Sequence, residues 1–333
     1  MVEAGQPVGV LVLSQRDVEE VLDLEQLVAA LASAMAEVAS GRASMPPRVA
    51  ARVDERDGLL VAMPAHLPGA AALTTKLVAL FPHNVDRPTH QSVIVCFDPA
   101  DGTTLAVMDG TFITEARTAA GSLLAFRHLA RRDASRVTII GAGAQARAHA
   151  RAFATWPGLE SITLTARNPE RLQRLVAELA QMDLPVRAAR SLPESLEEAD
   201  IVCATTHASQ PVVLRALVRP GTHVNSVGYN TDGDGEVDVD LVRDAYVVVE
   251  SREAALASPP AGAIELHRAI EAGIPDPIDA ELGSLVLGTS VGREDDDTVT
   301  LYKSVGVAAQ DAAAASLVLA EAARRSIGQR VDL

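Results

Sequence analysis

Val137-Thr138-Ile139-Ile140-Gly141-Ala142-Gly143-Ala144-Gln145-Ala146 reads as a buried strand running into a G-x-G-x-x-A turn, and Arg147 to Trp156 then reads as a helix. Strand, glycine turn and helix in that order form the dinucleotide-binding fingerprint. Gly141 permits the tight turn, Gly143 lets the backbone approach a pyrophosphate, and Ala146 lets the helix pack close to the strand. The helix N-terminus adds unpaired N–H groups and the positive end of its dipole, both of which favour phosphate. A glycine turn alone is weak evidence. This one lies in a run of alternating strands and helices, which is the context the fingerprint requires.

Downstream, Ser161–Ala166, Ile201–Ala204, Thr222–Val227 and Tyr246–Glu250 read as further strands of a parallel sheet, with a helix at Pro169–Gln181. A last helix is expected over Val305 to Ser326, after the acidic run Arg293–Asp297. Upstream the pattern changes. Residues 8–13 read as a strand, and Ser14-Gln15-Arg16-Asp17 resembles a capping box that opens a short helix. A second helix covers Leu24 to Ser40 and stops at Gly41. Strand-like runs then follow at Leu59–Met63, Leu73–Leu80 and Ser92–Phe97, with Asp98-Pro99-Ala100-Asp101-Gly102 as a turn. A long helix from Thr111 to Arg131 leads into the fingerprint strand. The expected fold class is α/β, a Rossmann domain at 117–304 plus an α+β domain formed by 1–116 with 305–333.

At 333 residues the chain is long enough for two domains. Its formal net charge of −15, without a dense Lys/Arg run, argues against nucleic acid as partner. No apolar stretch reaches the ~20 residues of a membrane span, and residues 1–13 lack a signal pattern. Cys96 and Cys203 sit in strand-like apolar runs without C-x-x-C spacing, so they read as buried free thiols of a cytoplasmic protein. Eight His are scattered without ligand spacing, and no metal is expected.

The strand Thr163-Leu164-Thr165-Ala166-Arg167-Asn168 should end in an acid if the cofactor were NAD(H), to bind the ribose hydroxyls. No acid stands there. Arg167 instead offers a guanidinium suited to a 2′-phosphate, with Arg171 or Arg174 as helpers, so NADP(H) is favoured and NAD(H) stays open. Three basic residues precede the nucleotide domain: Arg48 after Met45-Pro46-Pro47, Lys76 within Leu73-Thr74-Thr75-Lys76-Leu77-Val78, and Arg117 within Thr114-Glu115-Ala116-Arg117-Thr118-Ala119-Ala120. A Lys inside an apolar strand is costly to bury unless an acid or anion pairs with it. Each residue alone reads most simply as a surface charge or an internal ion pair. Beside a nucleotide domain the three form a candidate carboxylate clamp.

These blocks carry a resemblance: Met45–Arg48, Lys76 with Phe81-Pro82-His83-Asn84, Thr114–Ala120, Gly141–Ala146, Leu287-Gly288 with Gly292-Arg293, and Lys303–Asp311. In that order, over nearly the whole chain, they resemble the ornithine cyclodeaminase/mu-crystallin family. The resemblance implies a homodimer built through the first domain and a nicotinamide cofactor on the second. It implies that Arg48, Lys76, Arg117, Met63 and Val305 bind a small amino or imino acid, with Lys76 near the reacting centre. Cofactor contacts are then expected from Thr89, Arg117, Thr118, Gly141, Gly143, Ala144, Gln145, Ala166, Arg167, Asn168, Thr205, Thr206, Val227 and Ser304.

One position departs from the family. Cyclodeaminases carry an aspartate just after the Val-Gly that ends this strand, whereas this chain reads Val227-Gly228-Tyr229-Asn230. Asn230, taken as a catalytic residue, can hold an amine by hydrogen bond but is no general base. Asp232 or Asp234 are substitutes only in a rearranged loop. The sequence therefore favours an NAD(P)H-dependent ketimine reductase or amino-acid dehydrogenase. A cyclodeaminase that converts ornithine to proline plus ammonia, and a non-catalytic crystallin-like binding protein, remain as alternatives. Met63, Tyr229 and Asn230 are the candidates for contact with the substrate's tail.

Overall fold

In the computed structural model, which describes residues 9–229 and 233–332, the chain divides into two compact units. The first comprises the chain up to Glu37, Gly41–Arg117 and Ala308 onward; the second comprises Val38–Ser40 and Thr118–Val307. Among the described residues no helix is long and apolar enough to cross a membrane.

The first unit opens with β1 (Val10–Leu13), α1 (Gln15–Val21) and α2 (Leu24–Ala39). Ser14 and Asp17 close the expected capping box. The Ser14 hydroxyl accepts from Asp17 N–H at 3.3 Å, and the Asp17 carboxylate accepts from Ser14 N–H at 2.8 Å. Then come β2 (Val49–Val53), β3 (Gly58–His66), β4 (Leu73–Leu80), β5 (His90–Phe97) and β6 (Thr104–Asp109), before α3 (Thr111–Leu129), whose first residues up to Arg117 belong to this unit. β1 lies parallel to β6, and β2 through β6 form an antiparallel meander. Strand alternation decides which face is buried. Met63, Lys76, Ile94 and Met108 stand opposite one another in register and are all buried.

The second unit begins within α3, at Thr118. It continues with β7 (Arg136–Ile140), α4 (Ala144–Phe153), β8 (Ser161–Thr165), α5 (Pro169–Ala180), β9 (Val186–Ala188), α6 (Leu192–Leu196), β10 (Ile201–Ala204) and β11 (His223–Ser226). After these come α7 (Val239–Asp244), β12 (Tyr246–Val249), α8 (Arg252–Ala255), α9 (Ile264–Glu271), β13 (Ala280–Glu281), α10 (Leu282–Val286) and β14 (Thr300–Lys303). Every pairing is parallel, in the order β13-β12-β14-β11-β10-β7-β8-β9. From β7 the chain winds outward through β8 and β9, then returns to the other side with β10 and β11. That reversal beside β7 is the switch point at which doubly wound sheets bind dinucleotides.

The chain ends with α11 (Ala308–Arg325) and β15 (Gln329–Val331), both in the first unit. α11 packs on β3, β4 and β5, and β15 adds an edge strand beside β1.

Two expectations need correction. The late segment is not helical from Val305: α11 starts at Ala308, because the Val305 and Gly306 N–H groups donate to the buried Glu250 carboxylate instead of opening a helix. The sheet also has strands that were not read from the sequence. β14 pairs with both β11 and β12 and is buried throughout, and its four residues are too few to show a period.

Candidate functional site

In the first unit, β4 carries Lys76 to the face covered by α11, where its side chain is 2% exposed. Lys76 Nζ sits 2.8 Å from Asp311 Oδ2 and 3.4 Å from Thr114 Oγ1. Arg117, 6% exposed, donates from Nε to Asp311 Oδ1 at 3.3 Å and from Nη1 to Gln310 Oε1 at 3.2 Å. Arg48 is half-buried, and its charge acts on Lys76. Burial lowers the Lys76 ammonium from 10.5 to about 8. Asp311 opposes that shift, whereas Arg117 and Arg48 add to it. The lowering is thus caused first by desolvation, with the arginines as the lesser contribution. Met63 stands directly across β3 from Lys76 and is buried.

In the second unit, several of the residues expected at the cofactor follow the carboxyl ends of five adjacent strands. Gly141 to Gln145 follow β7, Ala166 to Asn168 follow β8, Thr205 and Thr206 follow β10, Val227 follows β11 and Ser304 follows β14. Gly141 adopts φ +129, and a Cβ there would meet Thr205 Oγ1 at 2.5 Å and its carbonyl oxygen at 2.9 Å. Only glycine fits. A Cβ on Gly143 would meet nothing within 4 Å, and no side chain caps the start of α4. Gln145 Oε1 is buried and has no hydrogen-bond partner among the described residues. An open glycine, uncapped helix N–H groups and an orphaned amide oxygen fit a dinucleotide pyrophosphate at this turn.

Several of these residues are occupied otherwise. Asn168 caps α5, accepting from Arg171 N–H at 2.9 Å. Thr206 donates its N–H and hydroxyl to Glu236, and Ser304 donates its hydroxyl to Glu250. Arg167, Arg171 and Arg174 are exposed. Thr118 is buried on α3 one residue past Arg117, and Thr89 belongs to the first unit, its carbonyl accepting from Phe81 N–H. Asn230 and Asp232 lie outside the described residues. Asp234, raised as a substitute acid, pairs with Arg268 at 3.1 Å. No group of residues suited to a metal ion occurs among the described residues.

Two features escaped the sequence reading. Asp311 has no local sequence signal for its pairing with Lys76 and Arg117. Lys303, 2% exposed, donates to Ser226 Oγ, Gly228 O and Glu265 Oε1 at 3.0–3.1 Å. Glu236 takes the Ser226 hydroxyl at 2.9 Å and the Gly228 N–H at 2.7 Å, and its own N–H donates to Glu265 at 2.9 Å. A closed, buried ring of Lys303, Ser226, Glu236 and Glu265 therefore ties the ends of β11 and β14 together. A signal existed in the composition. Only two of the 29 basic residues are lysines, Lys76 and Lys303, and both are buried against a carboxylate. Arginine serves everywhere else, so lysine is kept for a compact charge in a buried pair.

The ornithine cyclodeaminase/mu-crystallin family model matches residues 9–326. The ketimine reductase mu-crystallin of Mus musculus is 36% identical over 280 residues, which cover 84% of this chain and 85% of that protein. Thermococcus litoralis Delta(1)-pyrroline-2-carboxylate reductase, solved in complex with NADH and L-proline, aligns with a TM-score of 0.91 at 34% identity, covering 97% of this chain and 100% of that one. An archaeal alanine dehydrogenase dimer with bound NAD aligns at 0.89 and 29% identity, covering 97% and 99%.

Proposed function

The chain belongs to the ornithine cyclodeaminase/mu-crystallin family, and from that premise we propose that it is an NAD(P)H-dependent reductase of small cyclic or open-chain α-imino acids. One observation carries the reading: Lys76 lies buried in one ion cluster with Arg117 and Asp311, within reach of Arg48's charge. Relatives of the same build include enzymes named for ketimine and pyrroline-2-carboxylate reduction.

Arg48 and Arg117 hold the substrate's α-carboxylate by charge-assisted hydrogen bonds, which orients the C=N carbon. Lys76 gives a proton from Nζ to the imine nitrogen and is left as a neutral amine, to be reprotonated from solvent. A nicotinamide cofactor bound at the Gly141–Gln145 turn would supply the hydride for the imine carbon, which with the Lys76 proton would turn C=N into CH–NH. Asn230, an amide where cyclodeaminases hold a carboxylate, weighs against deamination and ring closure.

The preferred cofactor is NADP(H), because Arg167 follows β8 exposed and no acid stands there for ribose hydroxyls. The proposed assembly is a homodimer through the outward face of the first unit's sheet, and the two buried free thiols suit a cytoplasmic setting. The deciding experiment pairs NADPH and NADH with cyclic imines, with keto acids plus ammonia or methylamine, and with L-ornithine. Imine-dependent NADPH oxidation is expected, and Arg167→Ala should raise the NADPH KM about tenfold while sparing NADH. Ammonia release from ornithine without net change in nicotinamide absorbance would assign the lyase instead.

A further inference from the structure

In the ion cluster of the first unit, one member belongs to no expected site. Asp311 is 1% exposed and pairs with both Lys76 and Arg117. We propose that Asp311 is the positioning residue of this cluster, its carboxylate keeping Lys76 an ammonium while fixing the guanidinium of Arg117.

Across the sheet from Lys76, β3 and β5 present Met63 and Ile94, both apolar and buried. α3 presents Thr114 and Arg117, the segment before β2 contributes the charge of Arg48, and α11 contributes Asp311. Burial, Arg117 and Arg48 all favour the neutral amine. Asp311 is the negative group that acts against them, through its charge at the 2.8 Å ion pair. Its two oxygens do separate jobs. Oδ2 faces the Lys76 ammonium, and Oδ1 takes the Nε of Arg117, whose Nη1 is held by the adjacent Gln310. One rigid helix therefore sets both the charge of the proton donor and the aim of an arginine. The catalytic consequence rests on the imine-reductase reading; the charge relation does not.

The test exploits the chain's two lysines. Protein grown on lysine carbon-labelled at Cε gives two side-chain NMR signals, and Lys76 is identified by the signal lost in Lys76→Met. In the wild type its titration midpoint is expected at about 8. Asp311→Asn keeps an oxygen for Arg117 Nε but removes the charge. It should lower the midpoint by at least about one pH unit, and move the alkaline limb of imine reduction down in parallel. Asp311→Glu, which retains the charge, should leave the midpoint close to wild type. An unmoved midpoint in a folded Asp311→Asn protein overturns the proposal. A moved midpoint with an unmoved alkaline limb in an active enzyme upholds the charge relation and removes Lys76 as the proton donor of the proposed reduction. If neither variant folds, a wild-type midpoint well below the expected value of about 8 also overturns it, because the carboxylate then fails to oppose burial. A wild type that reduces no imine ends the functional reading, while the NMR shift still decides the role of Asp311.

Discussion

Lys76 links burial to chemistry most directly. Its pKa of 10.5 falls to about 8 in the folded chain, so between those values the unfolded chain binds more protons. The Lys76 contribution to stability therefore rises with pH across that window, and below it the buried cation costs about 3 kcal/mol, partly offset by Asp311 in reaching that balance. The catalytic sign is the opposite. Reduction needs the ammonium, so kcat/KM for an imine should fall as pH rises through about 8, and oxidation of the amino acid should gain over the same range. A pH–rate profile in both directions checks this. Lys76→Ala should abolish turnover while dinucleotide binding, read by nicotinamide fluorescence, persists. Full activity in that variant would remove Lys76 from the mechanism.

At the scale of elements, the β7–turn–α4 unit holds two glycines with different duties. Gly141 serves the fold: with φ +129 and Thr205 against its face, Gly141→Ala should destabilise by about 1–3 kcal/mol in urea unfolding. Gly143 meets open space, so Gly143→Val should leave the unfolding curve nearly unchanged yet weaken dinucleotide binding by more than about tenfold, some 1.4 kcal/mol. Equal affinity in that variant would place the pyrophosphate elsewhere. The ends of β11 and β14 depend on a charge ring instead. Lys303→Met strands the buried Glu265 and should cost about 3–5 kcal/mol, and adding Glu265→Gln should recover part of that loss. Chemical unfolding of the single and double variants separates a lost charge partner from lost packing.

At the scale of the molecule, the first unit's sheet has one face under α11 and several exposed apolar side chains on the other. Leu60, Leu73 and Val93 are 48%, 37% and 43% exposed, and Val12 at 40% heads a row continued by Val107 and Val95. An apolar antiparallel face of that extent calls for a partner, and a second copy of the chain is the one proposed here. Val93→Arg, at a position already exposed, should leave each chain folded but shift a dimer to monomer in analytical ultracentrifugation. A wild type that sediments as a monomer at micromolar concentration would dismiss that interface.

The alternation of strands and helices, the glycine turn at Gly141–Gly143, the Ser14 cap and the arginine after β8 were all legible in the sequence. Each is written in a few neighbouring residues, through periodicity, φ preference or a local hydrogen bond. The positions of Arg48, Lys76 and Arg117 were legible too, and the cost of burying Lys76 called for a paired acid. Which acid answers it was decided only by tertiary packing. Asp311 lies 194 residues beyond Arg117, and nothing near either residue specifies the pairing. The same holds for β14 and for Lys303 with Glu265. A four-residue strand buried on both faces has no period to read, and a buried ion pair exists only once distant elements have excluded water around it.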